Sequence, residues 1–184
     1  MTQEPLTQEQ IRNFVLPAHG NLAVVQQLLA EEPRLLNEKY VEFDETALEA
    51  ASHVGNRPIA EFLLAQGAPM NLYTAAMFGL TDEVAAFLDE SPELVNGNGV
   101  HGISLLYHAA LSGNVELVEM LAERGNTQSP DVPLLGAVGY GRYDMVQWLL
   151  NRGADTAVTN FQNKTALQIA QDRQDEALIA LLSE

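Results

Sequence analysis

Ser104-Leu-Leu-Tyr-His-Ala-Ala-Leu-Ser-Gly-Asn114, followed by Val115-Glu-Leu-Val-Glu-Met-Leu-Ala-Glu-Arg-Gly125, is a phrase that returns along this 184-residue chain in altered spelling. An earlier copy reads Thr46-Ala-Leu-Glu-Ala-Ala-Ser-His-Val-Gly-Asn56 and runs on to Phe62-Leu-Leu-Ala-Gln-Gly67. Another passes through Ala75-Ala-Met-Phe-Gly79 to Val84-Ala-Ala-Phe-Leu88. Later copies end Val138-Gly-Tyr-Gly141 with Trp148-Leu-Leu-Asn-Arg-Gly153, and Thr165-Ala-Leu-Gln-Ile-Ala170 with Leu178-Ile-Ala-Leu-Leu182. Repetition at this period marks a supersecondary unit that cannot bury its apolar face alone, so neighbouring units must stack into one continuous core.

The residue types fit a pair of helices in each copy. Thr46, Ser104 and Thr165 are N-cap types, whose hydroxyls accept from the free amides of a helix start. Ala75-Ala76 and Ala109-Ala110 are small enough to let helices approach closely, and Gly55, Gly79, Gly113 and Gly141 follow the first helix where the chain must turn tightly. Asn56, Thr81 and Asn114 are placed to cap the second helix, and Pro58 falls in its first turn, where a missing N–H does no harm. Val115, Leu117, Val118 and Leu121 form one helical stripe. The expectation is an all-α solenoid of stacked helix-turn-helix units.

The phrase resembles the ankyrin repeat, whose signature is Thr-Pro-Leu-His-x-Ala-Ala-x-x-Gly-His followed by a Leu-rich helix and Gly-Ala-Asp. The resemblance covers the chain from about Gln8 onward, in six units near 8–37, 41–69, 70–96, 99–126, 131–156 and 160–184 of a single domain, 1–184. No copy is perfect. The signature Pro survives only as Pro133, and the His is replaced by Glu49, Tyr73, Tyr107, Leu135 or Gln168. The first unit, around Asn13-Phe-Val-Leu-Pro-Ala-His-Gly20, is identified mainly by position. Degenerate end copies are expected, because a terminal unit presents one face to water.

Unequal spacing carries further information. Gly20 to Gly55 is 35 residues and Gly79 to Gly113 is 34, but Gly55 to Gly79 is 24 and Gly113 to Gly141 is 28; Gly141 to the matching Gln174 is 33. Glu32-Pro-Arg-Leu-Leu-Asn37 and Ser91-Pro-Glu-Leu-Val-Asn96 also end alternate units in the same way. The residues missing from the short linkers fall where the ankyrin resemblance places a β-hairpin finger. Full fingers are therefore expected at 40–45, 98–103 and 159–164 and shortened ones at 69–72 and 129–132, leaving notches beside the third and fifth units.

The resemblance implies a partner-binding surface made of finger tips and first-helix positions. Carried over, the groove comprises Phe43, His53, Met77, Phe78, His101, Ile103, His108, Leu111, Tyr140 and Phe161, with Glu42, Glu45, Lys164, Asp172 and Arg173 on its rim. A contiguous exposed apolar patch marks an interaction site, and its aromatics are the natural anchors. The same residues also fit a structural role, with Phe78 and Tyr140 plugging the notches.

His53, His101 and His108 map to the concave side, with Glu42, Asp44, Glu45 and Glu49 on the rim between them. Such a group is chemically able to hold Zn²⁺ or to exchange protons. Yet no two of these histidines have the helical spacing of a preformed metal pair, and His108 also fits a hydrogen-bonding role within its unit. No metal, cofactor or catalytic residue is assigned. The chain has no Cys, no Gly-x-Ser-x-Gly, no phosphate loop and no His-Glu-x-x-His, and Asn96-Gly-Asn-Gly99 reads as a finger turn.

Composition narrows the partners. A net charge of −16 with only nine basic residues argues against nucleic acid and anionic membranes and favours a basic partner. Acidic residues such as Asp82, Glu83, Asp89 and Glu90 serve equally to keep a convex face solvated. Without cysteine no oxidising compartment is implied, and neither a signal peptide nor a membrane-spanning run is visible. The expectation is a monomeric, cytoplasmic, non-enzymatic protein-interaction module that clasps a protein or peptide. The alternative is a small-molecule or metal site, with or without catalysis, in a notch lined by His53, His101, His108, Phe78 and Tyr140.

Overall fold

The computed structural model describes residues 4–183, so the outermost residues of the expected domain, 1–3 and 184, lie outside the described residues. Among the described residues twelve α-helices form six antiparallel pairs. They are α1 (Gln8–Val15, extended by a 3₁₀ turn over Leu16–His19) with α2 (Leu22–Glu31), α3 (Ala47–His53) with α4 (Arg57–Ala65), and α5 (Leu72–Phe78) with α6 (Thr81–Glu90). The second half repeats the plan with α7 (Leu105–Ser112) and α8 (Val115–Glu123), α9 (Asp131–Gly139) and α10 (Tyr143–Asn151), and α11 (Ala166–Asp172) and α12 (Glu176–Leu181). The first helix of each pair packs on the first helix of the next, in the order α3, α5, α7, α9, α11, and the second helices form an outer row.

Local chemistry explains these starts and stops. Thr46 and Thr165 close capping boxes with Glu49 and Gln168, and Ser104 accepts from the Tyr107 amide. Asn56 and Asn114 cap α4 and α8 through the amides of Ile59 and Leu117. Thr81 departs from expectation: it is the first helical residue of α6, and its hydroxyl instead accepts from Asn114 Nδ2 at 3.2 Å. Ala75, Ala76, Ala109 and Ala110 are wholly buried between inner helices, where a larger side chain would force the helices apart.

A turn residue in the left-handed region follows α3, α5, α7 and α9, at Gly55, Gly79, Gly113 and Gly141 with φ between 66° and 78°. After α11 the same conformation is taken by Gln174, at φ 55°. An L-residue with a Cβ is strained there, whereas glycine is not. Gln174→Gly is therefore expected to stabilise the protein by about 1 kcal/mol and raise Tm by about 2–4 °C, read by calorimetry. An unchanged or lower Tm would contradict this account of the turn.

The carbonyls left free at the ends of the inner helices are met by side chains of adjoining units. Arg57 donates to the Phe78 carbonyl at 2.9 Å, Asn114 to Gly79 at 2.9 Å, Arg142 to Leu111 at 3.1 Å and Arg173 to Gly139 at 2.6 Å. Three of the four donors are guanidinium groups, which also suit the negative end of the helix dipole.

The fingers alternate as the spacing predicts. β1 (Lys39–Tyr40) pairs antiparallel with β2 (Glu45–Thr46), and single bridges join Asn98 to Ser104 and Thr159 to Thr165. Among the described residues no strand pairing occurs at 69–72 or 129–132. The second short linker lies against the base of the preceding finger, where Gln128 accepts from the Leu106 amide at 3.0 Å and donates to the Gly97 carbonyl at 2.8 Å. The two Pro-Leu-Asn segments, Pro33–Asn37 and Pro92–Asn96, both fold as 3₁₀ turns, in keeping with a period of two units.

Candidate functional site

The expected apolar groove is largely filled. Met77 and Leu111 are 1% and 2% exposed, so both belong to the core and present no binding surface. The close approach of the inner helices draws these positions in between neighbours. A Cβ at Gly136 would stand only 3.1 Å from Leu111 Cδ2, so the neighbouring helix lies directly against that leucine. Phe78 is half-buried with the Arg57 guanidinium 5.2 Å from its ring centre. Tyr140 stays 41% exposed, yet its hydroxyl donates to the carbonyl of Val54, and its ring occupies the space a side chain at Gly55 would need. Burial raises the Tyr140 phenol above its ordinary pKa.

The two notches have different fates. Beside the third unit, the finger at 98–104 leans onto the finger at 39–46: the Phe43 and His101 rings meet edge to face at 5.8 Å. Beside the fifth unit the space stays open as a cleft of about 730 Å³ between the second and third full fingers, over α7 and α9. Its apolar walls include Ile103, Tyr107, Leu135 and Ile169, with Val132 (53% exposed) and Phe161 (93%) at the edge. None of its lining residues is Asp, Glu, Lys or Arg; Asn98, Gln128 and Asn160 supply polarity. Gly139 contributes open floor, with no atom within 4 Å of where its Cβ would be.

The rim residues are mostly engaged. Glu42 accepts from the Tyr40 hydroxyl, Lys164 pairs with Asp172 at 2.5 Å, and Arg173 holds the Gly139 carbonyl. Of the other acidic candidates, Asp44 pairs with Lys39 at 2.8 Å and Glu49 caps α3. Glu45 is not a rim residue at all. It is 0% exposed, and three histidines surround its carboxylate: His101 Nε2 lies 3.1 Å from Oε2, His53 Nδ1 3.5 Å from Oε2 and His19 Nε2 3.6 Å from Oε1. The His53 ring sits edge to face between those of His19 and His101, at 5.0 and 5.1 Å. Desolvation raises the Glu45 pKa against the pull of His19 and His101, and burial drives His53 down to about 3, so that imidazole is neutral. The Glu49 carbonyl one turn back partly offsets that fall, and Nδ1 makes no aligned hydrogen bond.

His108 takes no part in this group. Its Nδ1 bonds the Ser104 carbonyl at 2.9 Å, its ring leans on Tyr73, and burial lowers its pKa to about 4. The alternative notch thus keeps His53 and His101, with Tyr140 reaching the carbonyl next to His53, and loses His108. It gains His19, which the histidine grouping omitted. The signal for it was positional: His19 and His53 both stand just before the loop of their units, on adjacent copies.

Comparison with known proteins accords with this architecture. The ankyrin repeat pattern matches residues 43–75 and 101–129, and a pattern for ankyrin repeats in many copies matches 121–170. The chain belongs to the ankyrin-repeat family. Over 161 residues this ankyrin chain is 29% identical to mouse Ankyrin repeat and SAM domain-containing protein 6, covering 76% of the chain and 18% of that protein. The rat protein of the same name is 28% identical over the same length. E3 ubiquitin-protein ligase hecd-1 of Caenorhabditis elegans is 36% identical over 78 residues, 41% of the chain and 3% of the ligase. The chain therefore spans less than a fifth of each of these relatives. Ankyrin repeats are in general protein-interaction modules, and among the described residues no helix is long and apolar enough to cross a membrane.

Proposed function

We propose that this chain is a non-enzymatic interaction module, one domain of six units near the boundaries read from the sequence, that takes a segment of a partner protein into the cleft over α7 and α9. The observation that carries this reading is the cleft itself. A concavity of about 730 Å³ with apolar walls, no charged lining residue and an almost fully exposed Phe161 at its mouth suits one or two apolar side chains of a docking segment. Amide side chains at its edge can meet the segment's backbone. The net charge of −16 acts at longer range, favouring partners with basic flanks and disfavouring nucleic acid and anionic membranes. A monomer working in the cytoplasm completes the proposal.

A substitution at Leu111 is a poor test of binding, because Leu111 is core. Gly139→Leu is better: it fills the cleft from an open helical position and removes a helix-weakening glycine. Peptides selected on the wild type from a random display library are expected to lose at least about tenfold in affinity for Gly139→Leu and for Phe161→Ala. Tm is expected to be unchanged or higher. Peptides that bind both variants as well as wild type would remove the cleft from the proposal.

A further inference from the structure

We propose that His19, Glu45 and His53 form a binding site for one divalent transition-metal ion of the zinc type, using His19 Nε2, the Glu45 carboxylate and His53 Nδ1, with His101 as an outer residue that positions the carboxylate. This inference does not rest on the cleft, whose lining it shares only at His101. The ligand atoms of the three residues lie within 4.8 Å of one another, and among the described residues they are the one such group of histidine and acidic side chains.

Hydrogen bonding determines what faces what. His19 Nδ1 sits 3.0 Å from the Leu16 carbonyl, an acceptor only, so Nδ1 carries a proton and Nε2 is the nitrogen that faces Glu45 Oε1. Metal-binding imidazoles are commonly oriented by such an N–H bond to a backbone carbonyl. Glu45 Oε1 and His53 Nδ1 are both buried without a hydrogen-bond partner. Two imidazole nitrogens therefore face a buried carboxylate at 3.6 and 3.5 Å. Protons on His19 Nε2 and His53 Nδ1 would each point at a carboxylate oxygen across a long gap of 3.6 or 3.5 Å; one divalent cation seated between the three groups would replace both.

The dimensions agree. Ligands about 2.1 Å from a tetrahedral ion are about 3.4 Å apart, close to the separations of His19 from Oε1 and of His53 from Oε2, so both carboxylate oxygens are turned toward the ion's position. Two imidazoles and a carboxylate with no thiolate suit zinc and its first-row neighbours. His101 is held at φ 58°, a strained conformation for histidine, and from there its Nε2 reaches Glu45 Oε2, the oxygen that also faces His53. The His19 and His101 side chains are about a third exposed while Glu45 and His53 are covered, so the group is open to solvent on one side and leaves a coordination position for water.

The test is titration of EDTA-stripped protein with Zn²⁺ by calorimetry and with Co²⁺ by visible absorption. One ion per chain is expected, with Kd about 1 µM or tighter and a Tm rise of about 5–10 °C at a hundredfold excess over Kd. His19→Gln, Glu45→Gln and His53→Gln should each weaken binding by about a hundredfold or more, and His101→Gln by about ten- to a hundredfold at unchanged stoichiometry. His108→Gln should bind as wild type. Should a variant fail to fold, ¹⁵N spectra of wild-type imidazoles give the answer: Zn²⁺ must shift His19 Nε2 and His53 Nδ1 and spare His108. No saturable binding below about 1 mM would overturn the site, as would binding that survives Glu45→Gln and His53→Gln and so belongs to the acidic surface. Unmoved His19 and His53 resonances would do the same.

Discussion

Lowering the pH from 7 to 4 is expected to remove about 3 kcal/mol of stability through His108 alone. Burial is the main cause of its depressed pKa of about 4, offset in part by the Ser104 carbonyl. In the unfolded chain a histidine titrates near 6.5. Between those values the unfolded state holds a proton that the native state lacks, so stability is full above pH 6.5 and is lost as pH falls toward 4. His53, depressed to about 3, acts in the same direction, while Glu45, whose carboxyl is raised by burial, acts in the opposite one. Urea midpoints at pH 7, 5.5 and 4 measure the slope, and His108→Gln should flatten it. A variant that loses stability as steeply as wild type would show that the acid sensitivity arises elsewhere.

Leu111→Ala is expected to cost about 2–5 kcal/mol, with a fall in Tm of about 5–15 °C. Leu111 is 2% exposed and lies against the Gly136 backbone of the next inner helix, so its removal leaves a cavity that two helices cannot easily close. A leucine on an open groove would change stability by about half a kcal/mol or less. The urea midpoint, at unchanged slope, separates the two. A near-neutral result would return Leu111 to the binding surface.

The stack of helix pairs was legible because its signals are local. A capping hydroxyl, a paired alanine and a turn glycine each act within a few residues, and the glycine spacings carried the alternation of full and short fingers. What escaped the reading depends on distances between units. Met77 and Leu111 lie on the expected helix face, but whether that face meets solvent depends on how close the neighbouring helix comes, which residues such as Gly136 decide. Glu45 read as a solvated rim acid because nothing near it in sequence covers it. Its cover comes from three places, 26 residues before, 8 after and 56 after, in His19, His53 and His101. His19 was further obscured by a first unit whose loop glycine, Gly20, takes an extended φ of −171° in place of the left-handed turn.

The Tyr140 hydroxyl joins the fifth unit to the second, 86 residues earlier, across the inside of the arc. In a stack whose units touch only their neighbours, the whole behaves as a spring, opening and closing through small tilts shared among many joints. A tie across the arc removes that softness between the joined units. The second to fifth units are then braced at a fixed gape, while the sixth, with Phe161 at its tip, lies outside the tie and is held by its packing on the fifth and by Arg173. Cutting the tie with Tyr140→Phe should leave the helices intact and lengthen the distance fluctuations across the mouth, visible as a broader spin-label distance distribution between the second and fifth units.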